Sequence, residues 1–364
     1  MQPLRQEDAV LRWHWMRSLE FRIALFALVL GISPDQRHGH STLVSSAHAA
    51  DVVPRKSQTY GNNPLVQIGF ESVAPDADKV LIETEEPPFV DATQSTSGDY
   101  DNGYNFDEVR QLMGYEILPA GLMYRSYIAG EKEPRFQSMW LSETGRGRVW
   151  DTQMGGRIGL LRYGTPDAVN PQGWQLDMEG GAQTRVDPLN ESDLESVDFR
   201  FGILSTWRFS RHSFKLGYYH LSSHIGDEYL LRNPTFQRNN YVRDSAIVGW
   251  TFDMTEDMSV YGEVGYAAGA EGGAKPLELQ YGYQYTPLRA YGFRGAPFFG
   301  INGHTREDFS WISSVNTVAG WQWRGEQTNH LFRLGLQYYT GPAIQWEFAG
   351  QNETLCGAGL WFDY

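Results

Sequence analysis

A second cysteine is missing. The 364 residues contain one, Cys356, so neither an intrachain disulfide framework nor a multi-cysteine zinc site can form. An excess of positive charge is missing as well, with 30 Lys and Arg against 44 Asp and Glu and a formal net charge of −14. That balance excludes nucleic acid as a bulk-charge partner, because neutralising phosphates needs a basic face. The sequence carries no phosphate-loop, dinucleotide or kinase signature, so nucleotide chemistry has no support. Its longest apolar run, Ile23 to Ile32, falls well short of the ~20 residues a membrane-crossing helix needs.

Aromatic residues and glycine are abundant: 12 Trp, 20 Tyr, 19 Phe and 39 Gly. That composition favours strands over helices. The short apolar run follows Arg17 and Arg22 and precedes Ala47-His48-Ala49, the order of a secretory signal peptide. We therefore expect residues 1–49 to be removed, with Met16 offering a second start. Residues 50–114 hold scattered Pro, Asp, Glu, Ser and Thr, including Glu85-Glu86-Pro87-Pro88. Such a segment buries too little apolar surface to offset its ordering entropy, and it reads as a flexible periplasmic leader.

From about Gly121 the pattern changes to period-2 alternation, the strand signal. Trp174, Leu176, Met178, Gly180 and Ala182 share one face, with Gln175, Asp177, Glu179, Gln183 and Arg185 on the other. Val197–Phe209, Leu277–Tyr285 and His330–Thr340 repeat the rule, and weaker versions run through 149–163, 243–253, 258–269 and 312–323. A soluble sandwich also alternates. These segments, however, are long enough for a tilted membrane crossing, carry aromatics at their ends and hold charge in mid-strand, where a dry core would reject it. The expected fold is an all-β, antiparallel transmembrane barrel over residues 115–364. It has about 12 strands, in a range of about 10 to 14, with Gly121–Ala129 the piece that fits the wall least. Arg157, Asp177, Glu179, Arg185, Arg200 and Arg333 would form its interior network.

Short connections at 210–212, 254–257 and 324–329 fall on the side of the C-terminus, which is periplasmic in bacterial barrels. The longer 226–239 and 341–353 fall outside. On the strand Phe214–His224, residues His220, Ser222 and His224 continue the lipid-facing parity of Phe214, Leu216 and Tyr218. A serine nucleophile needs a base within reach and a group that orients the base. If residues 225 and 239 close the hairpin, Asp244 lies opposite His220 and Asn240 opposite His224. His220 and His224 do not make a metal pair, because four residues along a strand separate them by about 13 Å. Asp227 and Glu228 are the carboxylates a calcium ion would take. Cys356 reads as a small strand residue.

His220-Leu221-Ser222-Ser223 resembles the His-x-Ser-Asn stretch of outer-membrane phospholipase A and lipid A deacylases. The resemblance implies acyl-ester hydrolysis at the lipid face, with an Asn of the next strand mapping onto Asn240 or Asp244. Ser223 stands where those families carry Asn. The C-terminus, with Gly359, Phe362 and Tyr364, resembles the terminal insertion signal of bacterial outer-membrane proteins, which implies the barrel-insertion machinery as a partner. Residues 115–364, and above all His220 to Tyr229, resemble an outer-membrane family filed as domain of unknown function 1207. The leading expectation is a bacterial outer-membrane barrel of structural or passive-transport type, in contact with outer-membrane lipid. The alternative is a serine hydrolase of phospholipid or lipid A, with Ser222, His220 and Asp244 or Asn240 as its machinery.

Overall fold

The computed structural model describes residues 109–110, 112–292, 294–325 and 329–363. The expected signal peptide, nearly all of the leader and the terminal Tyr364 lie outside them. Alternation is realised as a single antiparallel sheet that closes on itself. The strands are β1 (Gly114–Ile117), β2 (Phe136–Glu143), β3 (Gly147–Gly164), β4 (Gly173–Asp187), β5 (Asp193–Phe209), β6 (His212–Ile225) and β7 (Val242–Asp253). Then come β8 (Met258–Glu271), β9 (Leu277–Tyr285), β10 (Ala296–Arg306), β11 (Ser313–Arg324), β12 (Leu331–Pro342) and β13 (Asn352–Asp363). Each strand from β2 onward pairs with its successor, and β13 returns to β2 from Leu355↔Glu143 to Phe362↔Phe136. The result is a closed antiparallel 12-strand transmembrane β-barrel. Among the described residues no helix is long and apolar enough to cross a membrane.

The two faces of the wall follow the sequence pattern. Outward positions are large and apolar, among them Met154, Val248, Val264, Leu334 and Leu336, all well exposed. Rings gather at the strand ends, as with Trp250, Phe214 and Phe209 at the foot of β5 to β7, matching an interfacial girdle. Inward positions are polar and buried. Arg157 Nε bonds Glu179 at 3.1 Å and Arg200 meets the same carboxylate at 2.9 Å. Arg185 bridges Asp151 at 2.7 Å and Glu353 at 2.6 Å, and Arg333 holds Asp363 at 2.6 Å. Asp177 accepts from Gln175 at 2.6 Å and Thr206 at 3.1 Å. The expected interior network is present, and its charges are paired because an unpaired one would be too costly there.

β1 and β2 lie on the same edge of β3. Gly114–Ile117 pair with Gly164–Leu161, and Gln137–Glu143 pair with Gln153–Gly147. They therefore run collinear and in the same direction, as two halves of one strand. Between them residues 118–135 leave the wall and enter the lumen. This excursion includes the segment the alternation fitted least. It is a plug: Met123, Tyr124, Tyr127, Ala129, Glu133 and Arg135 are almost fully buried.

The inward charges of the wall hold the plug. Tyr124 O accepts from Arg157 at 3.0 Å, Tyr127 donates to Glu263 at 3.0 Å, and Ile128 N–H donates to Gln284 at 3.1 Å. Glu131 takes Asn302 at 2.9 Å, Ser314 at 3.0 Å and His304 at 3.1 Å. Lys132 Nζ bonds Gln183 at 2.7 Å and pairs with Asp198. Arg125 pairs with Asp253 at 2.7 Å, and Arg135 with Asp363 at 3.3 Å. Tyr127 stacks on Tyr261 with centroids 3.8 Å apart, while the Lys215 ammonium lies 4.4 Å from the Tyr127 ring, a desolvated cation–π contact. Gly300 on β10 is one of the wall's points of close approach, since a Cβ there would come within 2.6 Å of Ile128 Cγ1.

Candidate functional site

Strand parity sends the even-numbered residues of β6 and β7 outward, and the pairing of the two strands sets which of them meet. His220 stands directly opposite Asp244 in the register, as closure of the hairpin at 225 and 239 requires. Their side chains are joined, with His220 Nδ1 2.9 Å from Asp244 Oδ1. Tyr218, two residues earlier on the same face, donates its hydroxyl to the same oxygen at 2.5 Å. The carboxylate is nearly enclosed, at 4% side-chain exposure, whereas the imidazole is 35% exposed. A buried aspartate on the lipid-facing side of a barrel wall must be hydrogen-bonded to persist, and Tyr218 and His220 provide that.

Two features of β8 make room for it. The ladder slips at this point, where Asp244 pairs with Gly269 but Ser245 pairs with Ala267, leaving Ala268 as a bulge. Bulges of this kind re-aim side chains. A Cβ on Gly269 would sit 2.7 Å from Asp244 Oδ2, so only glycine leaves the carboxylate its space. Neither Tyr218 nor Gly269 was singled out by sequence reasoning. The signal for Tyr218 was its place on the face already assigned to His220; Gly269 needed the bulge to be known.

Ser222 is on the same outward face, flanked by Phe199 and Val242 in the register. Among the described residues no hydrogen bond reaches its hydroxyl. With Nδ1 turned to Asp244, the Nε2 of His220 is the nitrogen left for a proton transfer. The structure thus joins His220 to Asp244 and leaves Ser222 two residues away, at the distance set by the strand repeat. Of the two residues that stood to orient the histidine, Asp244 is the one in contact. Asn240 lies beyond the last β6–β7 pair, has φ 50, and gives its N–H to Glu347 Oε1 at 3.1 Å. Glu347, fully buried, also accepts from the N–H groups of Asn239 at 2.6 Å and Tyr241 at 3.3 Å.

His224 is exposed, with its ring 5.8 Å from that of Phe199. Asp227 and Glu228 occupy the first turn of a short helix, α1 (Asp227–Arg232), and are exposed. Among the described residues no three or more His, Cys, Asp or Glu side chains are grouped to hold a metal. Cys356 faces outward on β13 and is exposed. Sequence reasoning passed over Glu131, Lys132, Glu133 and Arg135, which are buried in the lumen. Their signal was indirect: the wall's many inward charges need counter-charges from somewhere.

Comparison with solved structures finds outer-membrane phospholipase A from Escherichia coli at 12% identity and TM-score 0.42, covering 64% of this chain and 92% of that one. The Salmonella typhi outer-membrane phospholipase, as a dimer with bound calcium, gives 12% and 0.42 over 64% and 91%. The KdgM porin gives 12% and 0.36 over 63% and 99%. At this level the likenesses carry no argument about activity. Curated protein sequences gave no match. A family model does match, over residues 116–364, which takes in the plug and all twelve strands of the closed wall. The chain belongs to the family described as "Protein of unknown function (DUF1207)".

Proposed function

We propose that the protein is a sealed barrel of the bacterial outer membrane, structural rather than conducting, with its insertion signalled by β13. The observation that carries this reading is the plug. Residues 118–135 bond to inward side chains on opposite sides of the wall, and two cavities lie beside them, one of about 10 Å3 between Gly130, Arg135 and Gln183 and one of about 80 Å3 lined by Leu122, Arg125 and Ile128. A passive channel needs a continuous aqueous path, and a plug bonded across the lumen argues against one. The test is conductance of the full chain in planar bilayers. The expected record is flat, and sustained open steps at low voltage would overturn the reading.

A second reading rests on the His220–Asp244 hydrogen bond. In it Ser222 is the nucleophile, His220 Nε2 takes the serine proton, and Asp244 holds the imidazole in the required tautomer. The substrate would be an acyl ester of phospholipid or lipid A, reached from the bilayer because all three residues face it. For attack, the Ser222 and His220 side chains must rotate toward each other across the strand repeat. The refolded protein is given phospholipid or lipid A and fatty-acid release is compared with Ser222→Ala and Asp244→Asn. Release that disappears with Ser222→Ala supports the hydrolase. Equal release from both, or none from the parent, removes it.

A further inference from the structure

At the rim where the chain ends, the loop joining β9 to β10 folds against the hairpin of β11 and β12. Between them lies a pocket of about 440 Å3. Three arginines line it: Arg289 and Arg294 from the loop, and Arg324 from the end of β11. No Asp or Glu is among the described residues lining it. In a chain with a net charge of −14, three guanidiniums around one pocket with no carboxylate among its described lining residues is a departure that calls for a cause.

Three described carboxylates at this rim are held by other partners. Asp363 is held by Arg333 at 2.6 Å and Arg135 at 3.3 Å. Asp253 pairs with Arg125 at 2.7 Å and also with Arg208, and Asp257 directs Oδ1 to the N–H of Leu288 at 3.1 Å. Arg289 and Arg294 are exposed and have no hydrogen bond or ion pair with any described residue.

Two buried atoms in the pocket wall are also unmatched. Arg324 gives Nη1 to the carbonyl of Asn329 at 3.1 Å, while its Nε has no acceptor. Gln322 is 2% exposed and gives Nε2 to the carbonyl of Pro287 at 2.9 Å, while its Oε1 has no donor. Buried polar groups are ordinarily satisfied, and each exception asks for a partner. Here one exception calls for an acceptor and the other for a donor.

We propose that this pocket binds a phosphate group with a hydroxyl close by. Guanidinium forks match phosphate oxygens in charge and geometry. Arg289 and Arg294 supply charge at the mouth, Arg324 Nε reaches a phosphate oxygen, and Gln322 Oε1 accepts from the hydroxyl. The volume exceeds that of inorganic phosphate and suits a phosphorylated polyol. The same chemistry comes either from a free phosphate ester or from a glycerol-headed phospholipid, and this inference is independent of both readings above.

The test uses the full chain in neutral detergent. Glycerol 1-phosphate is titrated by calorimetry, and phosphatidylglycerol in bicelles is compared with phosphatidylcholine. Saturable binding weakened by salt is expected in at least one arm, and the arm that responds identifies the source. Arg289→Ala with Arg294→Ala, both at exposed positions, should weaken it by about tenfold or more, with the barrel's heat-dependent gel mobility unchanged. Gln322→Leu should erase the preference for glycerol 1-phosphate over inorganic phosphate. Absence of saturable binding in both arms, or a double-arginine variant that binds like the parent, would overturn the proposal.

Discussion

Replacing Lys132 by Met removes the one cation that the plug sets against Asp198. The two side chains are 7% and 1% exposed and form a direct ion pair. Removing one member of such a pair costs about 3–5 kcal/mol, because the charge left behind is buried and uncompensated. Asp198 keeps Ser223 Oγ and the Trp346 N–H, the latter at 3.1 Å, so the lower end of that range applies. About 3 kcal/mol is roughly a hundredfold change in the docking equilibrium of the plug. Hydrogen exchange read by mass spectrometry reports it directly. The amides of 118–135 should exchange about a hundredfold faster in Lys132→Met, while those of β3 to β6 stay protected. Neutralising the partner as well, in Lys132→Met/Asp198→Asn, should recover all but about 1 kcal/mol. An acceleration below tenfold in the single variant, or no recovery in the double, would refute the claim that paired charge holds the plug.

Three further outcomes follow from the same contacts. Gly300→Val puts atoms into the space of Ile128 and should lower stability to urea in detergent by about 1–3 kcal/mol, with Ile128→Ala as a second change restoring much of it. Burial pushes the Glu131 carboxyl up, but the hydrogen bonds and charge of His304 and the Ser314 hydroxyl together hold it below its ordinary value. Its contribution is therefore complete above about pH 4.3 and lost as pH falls below that, so plug amides should open on acidification through that range, and protection unchanged down to about pH 2 would contradict the assignment. Asp244→Asn should move the His220 ring-nitrogen resonances in NMR spectra, because the acceptor at Nδ1 changes from a carboxylate to an amide; unchanged resonances would mean that the contact is not kept in solution.

The wall was legible because a barrel in lipid converts solvent contrast into a period of two. Leu277–Tyr285 is β9 to the residue, and 149–163 and 258–269 fall within two residues of β3 and β8. β10 left no such trace: Pro297, Gly300 and Gly303 interrupt its alternation, the last two lying against Ile128 and Tyr281. The pairing of His220 with Asp244 was within reach because parity and one hairpin closure fix it. The same extrapolation does not carry to Asn240, since the ladder stops at Ser222 and Val242 and Glu347 captures the following N–H groups. The plug was half legible. Gly121–Ala129 fails to alternate, but Gly130 to Arg135 looks like a solvated turn, and its burial depends on charges from strands more than a hundred residues away, such as His304 and Asn302.

The collinearity of β1 and β2 constrains how such a plug can move. A plug attached at one end can swing out as a body. This one is anchored at both, by the pairing of Ile117 with Leu161 on one side and of Gln137 with Gln153 on the other. Expelling it would strip β1 or β2 from β3 and expose ladder groups to lipid, where each unsatisfied group costs several kcal/mol. Motion is therefore limited to rearrangement within the lumen, around the contacts of Glu131 and Lys132. The wall itself is built to that end, with inward charges of β3, β5 and β10 finding their complements on the plug: Arg157 with Glu133, Asp198 with Lys132, His304 with Glu131. A water-filled barrel would not need that matching, because solvent would screen those charges. The proposal of a sealed barrel rests on that complementarity more than on the narrowness of twelve strands.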